Sequence, residues 1–195
     1  MDLDGRVPRV YVQRNGLGHA FVTVGERNET VVYSYGRYGT LYETSGLTSG
    51  KFTPKGEGVM VRYTGKEAAL FLSDVKQEGN LDVFQINTGN DAVVAKFYDY
   101  QFYRGYNPTN KQKPTYGNPN ARVIDIYSLI KNNCVTTTIN GLNSVLPVID
   151  SDAITPIGLS YDLQRQSTRS ESIIQIENVD KFLEMLVDAL IEDYE

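Results

Sequence analysis

The chain has 195 residues, of which 41% are hydrophobic, and this is enough to build the core of one domain covering residues 1–195. Its formal net charge is -5 with acidic and basic residues interspersed, which argues against the basic surface that a nucleic-acid partner requires. No apolar run approaches the roughly 20 residues that cross a bilayer, and the first residues lack a leader pattern. We therefore expect no stable membrane insertion and no export signal.

The first part of the chain has the pattern of antiparallel strands. Three short runs at residues 9–13, 19–24 and 31–35 are rich in β-branched and aromatic side chains, and turn-forming glycine and asparagine separate them. The Gly, Ser and Thr-rich stretch 35–58 that follows is typical of a surface loop. The sequence therefore predicts a three-stranded antiparallel unit followed by a long loop.

The middle of the chain alternates between strand and helix patterns. Residues 58–65 predict a strand, 66–79 a helix that stops at a glycine, and 81–89 another strand. Asn90 is a suitable cap for a further helix, and the proline and asparagine content of 107–120 indicates a loop. Together these patterns predict an α+β fold, with an antiparallel sheet packed against helices.

The last third contains two predicted helices around a polar segment. One helix runs from about 133 to 146, the segment 164–172 is expected to be exposed, and an amphipathic helix covers about 178–194. The apolar positions expected on one face of this last helix are Phe182, Leu183, Leu186, Leu190 and Ile191.

The chain contains one cysteine and one histidine, Cys134 and His19. Cys134 lies where a helix is predicted to begin, so unpaired backbone N–H groups and the helix dipole favour its thiolate. Asn133 and the threonines that follow predict polar surroundings, and a free N–H in the first turn suits an oxyanion. If Cys134 is a nucleophile, His19 is the imidazole that holds and returns the proton.

The competing interpretation is structural. A lone histidine on a strand and a lone cysteine in a core are common packing residues. One histidine and one cysteine do not supply the usual nitrogen and sulfur ligands of a zinc site, so we expect no metal and no cofactor.

Three short motifs in this order carry a family resemblance. "GLGHAFVTVG" is followed by "VVYSYGRYG", and "YSLIKNNCVTTT" lies far downstream. This set resembles the circularly permuted papain-like branch of the NlpC/P60 superfamily, in which the histidine strand precedes a cysteine that opens a later helix. The resemblance extends over about residues 9–146. It implies a cysteine amidase or peptidase with Cys134 as nucleophile and His19 as base.

The resemblance also implies a biological setting. Members of the superfamily commonly cleave amide bonds of cell-wall peptides, and some are antibacterial toxins delivered by type VI secretion. The expected substrate is a peptidoglycan stem peptide, cut in the periplasm of a target bacterium by an effector made in the cytoplasm. A cognate immunity protein and a carrier on the secretion machine are the expected partners.

A third residue that orients the imidazole is expected on the strand at 31–35. If Val24 pairs with Val31, Ser34 lies diagonally from His19 on the same face. A register shift of one residue favours Tyr33 or Tyr35 instead, and Glu43 or a backbone carbonyl are further alternatives.

Gln13 is a second candidate because its strand should neighbour that of His19. It could donate to the oxyanion, but a solvated strand residue is the favoured interpretation.

Two other functions fit the same residues. A thiol acyltransferase or a cysteine hydrolase of lipid or protein substrates keeps the Cys134–His19 pair. However, the C-terminal amphipathic helix is acidic, which disfavours anionic membranes. A non-catalytic binding module requires Cys134 to be unreactive.

Overall fold

The computed structural model describes residues 7–37, 55–87, 90–109, 118–144 and 147–191. Within these ranges the chain has the predicted α+β architecture. An antiparallel sheet is packed between helices on both of its faces.

Seven strands of the described residues form one sheet. In chain order they are β1 Arg9–Gln13, β2 His19–Val24, β3 Val31–Gly36, β4 Lys55–Thr64, β5 Leu81–Ile86, β6 Ala121–Ser128 and β7 Ile173–Gln175. Their spatial order is β6-β4-β3-β2-β1-β5-β7, and every neighbouring pair is antiparallel. The five predicted strands are confirmed in position, whereas β6 and β7 were not predicted, and β4 begins at Lys55, inside the stretch 35–58 that was expected to be a loop. Strand β2 lies at the centre of the sheet.

Five α-helices of the described residues cover the sheet. They are α1 Gly65–Glu78, α2 Asp91–Arg104, α3 Cys134–Leu142, α4 Pro156–Ser167 and α5 Val179–Ile191. Four of them lie where the sequence predicts helices. In α5, Leu183, Leu186 and Leu190 are buried as expected, whereas Ile191 is 43% exposed.

Helix α4 was not predicted, although the sequence carries its start signal. Thr155 caps the helix by accepting a hydrogen bond from the backbone N–H of Gly158 at 3.2 Å, and Pro156 occupies the first turn. Part of the segment 164–172, expected only to be polar and exposed, therefore continues a helix.

The alternation of side chains along the strands divides the core into two layers. Ala20, Val22 and Tyr35 lie on one face, which α2, α3 and α4 cover, and we call it the three-helix face. Tyr11 and Phe21 lie on the opposite face, which α1 and α5 cover, and we call it the two-helix face.

Candidate active site

Cys134 is the first residue of α3, where Asn133 caps the helix. The Asn133 Oδ1 atom accepts hydrogen bonds from the backbone N–H groups of Val135 at 2.9 Å and Thr136 at 3.0 Å. In return, the Thr136 hydroxyl accepts from the backbone N–H of Asn133 at 2.9 Å. This is a capping box, and it fixes the start of the helix at Cys134.

The other half of the Asn133 side chain fixes the helix start to the rest of the fold. Its Nδ2 atom donates to the carbonyl oxygens of Leu129 at 2.6 Å and Ile154 at 2.9 Å. Asn133 is buried, so these bonds satisfy an amide that would be costly to bury unpaired. One side chain therefore holds three chain segments around Cys134.

The surroundings of the thiol differ from the expectation. Cys134 is only 6% exposed and packs in the apolar cluster of the three-helix face with Ala20 and Tyr35. Burial raises the pKa of the thiol, and the nearby backbone N–H groups of Ala20 and Val135 oppose this rise only in part. The predicted polar, thiolate-favouring environment is therefore wrong, because the first turn of α3 points into the core.

His19 is the first residue of β2 and is partly buried. Its Nε2 atom lies 2.8 Å from the Ser34 hydroxyl oxygen, and its ring packs beside Phe21 with 6.0 Å between the ring centroids. Burial lowers the pKa of the imidazole to about 4. At neutral pH the ring is therefore uncharged and able to accept a proton.

The pairing of β2 with β3 explains why Ser34 meets His19. Val24 pairs with Val31, as the sequence argument assumed, and the ladder continues to the pair of Phe21 and Ser34. Ser34 is consequently a diagonal neighbour of His19 on the two-helix face, and it is fully buried there.

The two tyrosines that a shifted register would have brought to His19 have other partners. The Tyr33 hydroxyl donates to Asp99 at 2.7 Å, and the Tyr35 hydroxyl donates to Asp125. Both rings belong to the three-helix face. The geometry therefore favours Ser34, while Glu43 lies outside the described residues.

The ladder geometry also shows where the backbone N–H of Ala20 points. Arg14 donates its backbone N–H to the carbonyl of Asn80 on the β5 side. Because backbone groups alternate along a strand, the N–H of Gln13 points to the other side, toward β2. Gln13 pairs with His19, so the backbone groups of His19 point toward β1. Those of Ala20, the next residue, point to the opposite side, toward β3. Because the β2–β3 ladder ends at Phe21 and Ser34, this N–H points into the space beyond the last pair, toward the thiol.

His19 contacts Ser34 at one end of the β2–β3 ladder, and the Cys134 thiol lies beside the backbone of Ala20 at the same end. They reach it from different sides, since Cys134 packs on the three-helix face, whereas His19 and Ser34 lie on the two-helix face. The structure places the predicted base and orienter in contact. The contact of the predicted nucleophile Cys134 with the predicted base His19 stays a prediction.

Gln13 does not fit the interpretation of a solvated strand residue. It is 8% exposed, it pairs with His19 across β1 and β2, and its side-chain amide donates to the Glu78 carboxylate at the end of α1. Its donor is thus engaged on the two-helix face, away from the thiol.

A tyrosine pair beside the thiol was not identified from the sequence. Tyr35 and Tyr127 pack with 5.8 Å between their ring centroids, in the cluster that contains Cys134. Gly58 leaves room for the hydrogen bond between Tyr35 and Asp125, because a Cβ atom there would overlap both groups. In the strand sequence "VVYSYG" successive side chains point to opposite faces, so Tyr35 points away from the face of Ser34. This alternation was the sequence signal that could have identified Tyr35.

Searches for other kinds of site and for relatives gave no positive result. Within the described residues, no three His, Cys, Asp or Glu side chains converge as metal ligands, and no helix is long and apolar enough to span a membrane. Comparisons with protein-family models, curated proteins and solved structures found no match. The candidate site is therefore argued from its own geometry.

Proposed function

We propose that this chain is a cysteine amidase or endopeptidase, with Cys134 as the nucleophile, His19 as the base and Ser34 as the residue that orients the imidazole. The observation that supports the proposal is that the Cys134 thiol lies beside the backbone N–H of Ala20, at the end of the β2–β3 ladder where His19 contacts Ser34. The thiol lies at a capped helix start, beside the N–H of the residue that follows His19.

The protonation states set the order of the chemical steps. The raised pKa of the Cys134 thiol and the lowered pKa of the His19 imidazole keep both groups neutral at rest. The imidazole must therefore take the thiol proton as the thiolate attacks, rather than before substrate binds. This transfer requires the imidazole to lie within hydrogen-bond reach of the thiol when the sulfur attacks an electrophile.

The reaction then follows nucleophilic acyl transfer. The Cys134 sulfur bonds to the carbonyl carbon, and the backbone N–H groups of Cys134 and Ala20 are the proposed donors to the oxyanion. The C–N bond breaks as the His19 imidazolium protonates the departing amine. Water then hydrolyses the thioester with His19 again as base, which restores the thiol.

The proposed substrate is the stem peptide of peptidoglycan, and the proposed role is that of an antibacterial effector acting in the periplasm. Both rest on the resemblance of the three motifs to permuted NlpC/P60 proteins. An immunity protein and a secretion carrier remain the proposed partners.

The direct test is digestion of purified sacculi. The wild-type protein should release defined peptide fragments, identified by mass, whereas Cys134→Ala should release none. Expression in a Gram-negative host gives a second test, since toxicity is expected only when a signal peptide directs the chain to the periplasm. Equal toxicity from the cytoplasm would contradict the envelope target.

A binding module is the second candidate, and the nearly complete burial of Cys134 favours it. In that case His19 and Cys134 only pack, and neither Cys134→Ala nor His19→Ala changes the biological effect of the chain.

A further inference from the structure

Four large aliphatic side chains remain exposed around the start of α3. The exposed fractions are 74% for Leu17, 64% for Ile130, 46% for Ile154 and 47% for Ile157. Single exposed aliphatic residues are common on protein surfaces, but several close to one site mark a region that binds an apolar group. We call these four residues the aliphatic rim.

Two members of the rim are held beside Cys134 by the helix cap. Asn133 donates to the carbonyl of Leu129, which precedes Ile130, and to the carbonyl of Ile154 itself. Because Asn133 directly precedes Cys134, Ile130 and Ile154 are attached to backbone that is fixed at the helix start.

The other two members meet on the His19 side. Gly18, with a φ of +71°, packs so closely on the start of α4 that an added Cβ would lie 2.8 Å from the Pro156 Cβ atom. Leu17 precedes Gly18, and Ile157 follows Pro156. These two exposed side chains therefore flank a close backbone contact next to His19.

The charges near the rim do not favour an ionic substrate group. Lys131 follows Ile130 and Asp152 lies two residues before Ile154, and both are exposed. Since their charges have opposite sign, the four aliphatic side chains are the feature that distinguishes this surface.

Resting on the proposed cysteine hydrolase activity, we propose that the aliphatic rim selects substrates with a branched or linear aliphatic group on the acyl side of the scissile amide. The acyl side is assigned because Ile130 and Ile154 are held at the helix start that carries the Cys134 sulfur, and this part of the substrate becomes bound to that sulfur in the thioester.

The test compares acetylated leucyl, alanyl and glutaminyl amides of aminomethylcoumarin. For the wild type we expect kcat/KM to be about tenfold higher for the leucyl than for the alanyl substrate, which matches the burial of a few methylene groups. The double variant Ile130→Ser and Ile154→Ser should lose this preference through a higher KM for the leucyl substrate, and circular dichroism should show that it is folded.

Met185→Ser is the matched control, because Met185 is 65% exposed on α5, which covers the two-helix face. This variant should retain the wild-type preference. Turnover without preference for the leucyl amide, or a preference that survives in the double variant, would overturn the inference alone. Absence of turnover for all three amides by a protein that digests sacculi would also overturn the inference alone, whereas absence of activity in both assays would overturn the proposed function.

Discussion

The two faces of the sheet place the two reactive groups in different surroundings. On the three-helix face, Cys134 is packed among apolar side chains, and burial raises the pKa of its thiol. On the two-helix face, His19 contacts the buried Ser34 hydroxyl, and burial lowers the pKa of its imidazole. In both layers the neutral form is favoured, because a low-dielectric environment disfavours charge of either sign.

This comparison shows how a sheet can both separate and join two groups. The side chains belong to opposite layers, but the thiol lies near the backbone N–H of Ala20, the residue next to His19. The thiol approaches β2 where the β2–β3 ladder ends. Substitutions on either face, or at the end of the β2–β3 ladder where the faces join, should therefore have different effects.

The largest expected effect is the fall in turnover when either reactive group is removed. Cys134→Ala and His19→Ala should each lower turnover about a thousandfold or more, because groups that act as a unit fail together. The double variant should be no worse than either single variant. Circular dichroism should show that the variants are folded, and a folded single variant with near-normal turnover would contradict the mechanism.

The second effect concerns the two-helix face and acid stability. The pKa of His19 is about 4 in the folded chain, compared with about 6.5 when unfolded, so between these values the unfolded chain binds more protons. The free energy of unfolding should therefore fall as the pH drops from 6.5 to 4, by about 3 kcal/mol in total from this group.

Urea denaturation of the wild type and of His19→Gln isolates this contribution, since other titrating groups are common to both. The difference between the two should change across pH 6.5 to 4 and be constant above it. Identical pH dependence of the two proteins would show that the imidazole is not held neutral by the fold.

The third effect concerns the three-helix face through its helix cap. Asn133→Ala should lower the free energy of unfolding by about 2 kcal/mol, because it removes a capping acceptor and the donor to two carbonyl groups. Asn133→Asp keeps the acceptor and should retain part of this stability in urea denaturation. Equal loss in both variants would show that the cap itself contributes little.

The smallest expected effect comes from Ser34, the β3 residue at the end of the β2–β3 ladder. Ser34→Ala should lower kcat about tenfold, since it removes one hydroxyl contact to the imidazole and leaves the base present. Tyr33→Phe is the control, because its hydroxyl donates to Asp99 on the other face. A wild-type kcat in Ser34→Ala would remove Ser34 from the proposed site.

The arrangement of the β2–β3 hairpin was predictable because short-range rules determine it. Turn residues bound each strand, and alternation then assigns Ser34 to the face of His19 once Val24 is paired with Val31. The start of α3 at Cys134 was also predicted, and the capping box at Asn133 is a local pattern that accounts for it.

The environment of Cys134 was not predictable from local sequence. Asparagine and threonine neighbours suggested a polar site, but burial is decided by distant residues such as Ala20 and Tyr35. Periodicity shows which side chains share a face of a strand, but it does not show on which face a helix more than a hundred residues later will pack. For this reason the pairing with His19 could be proposed from the sequence, but not its geometry.

The most direct test of the account is the rate at which iodoacetamide alkylates Cys134 between pH 5 and 10, in the wild type and in His19→Gln. If the imidazole acts on the thiol across the end of the β2–β3 ladder, the wild type should react faster at neutral pH. The two rates should converge at high pH, where the thiol ionises without a base. Superimposable profiles over the whole range would contradict the claim that His19 and Cys134 work as a pair.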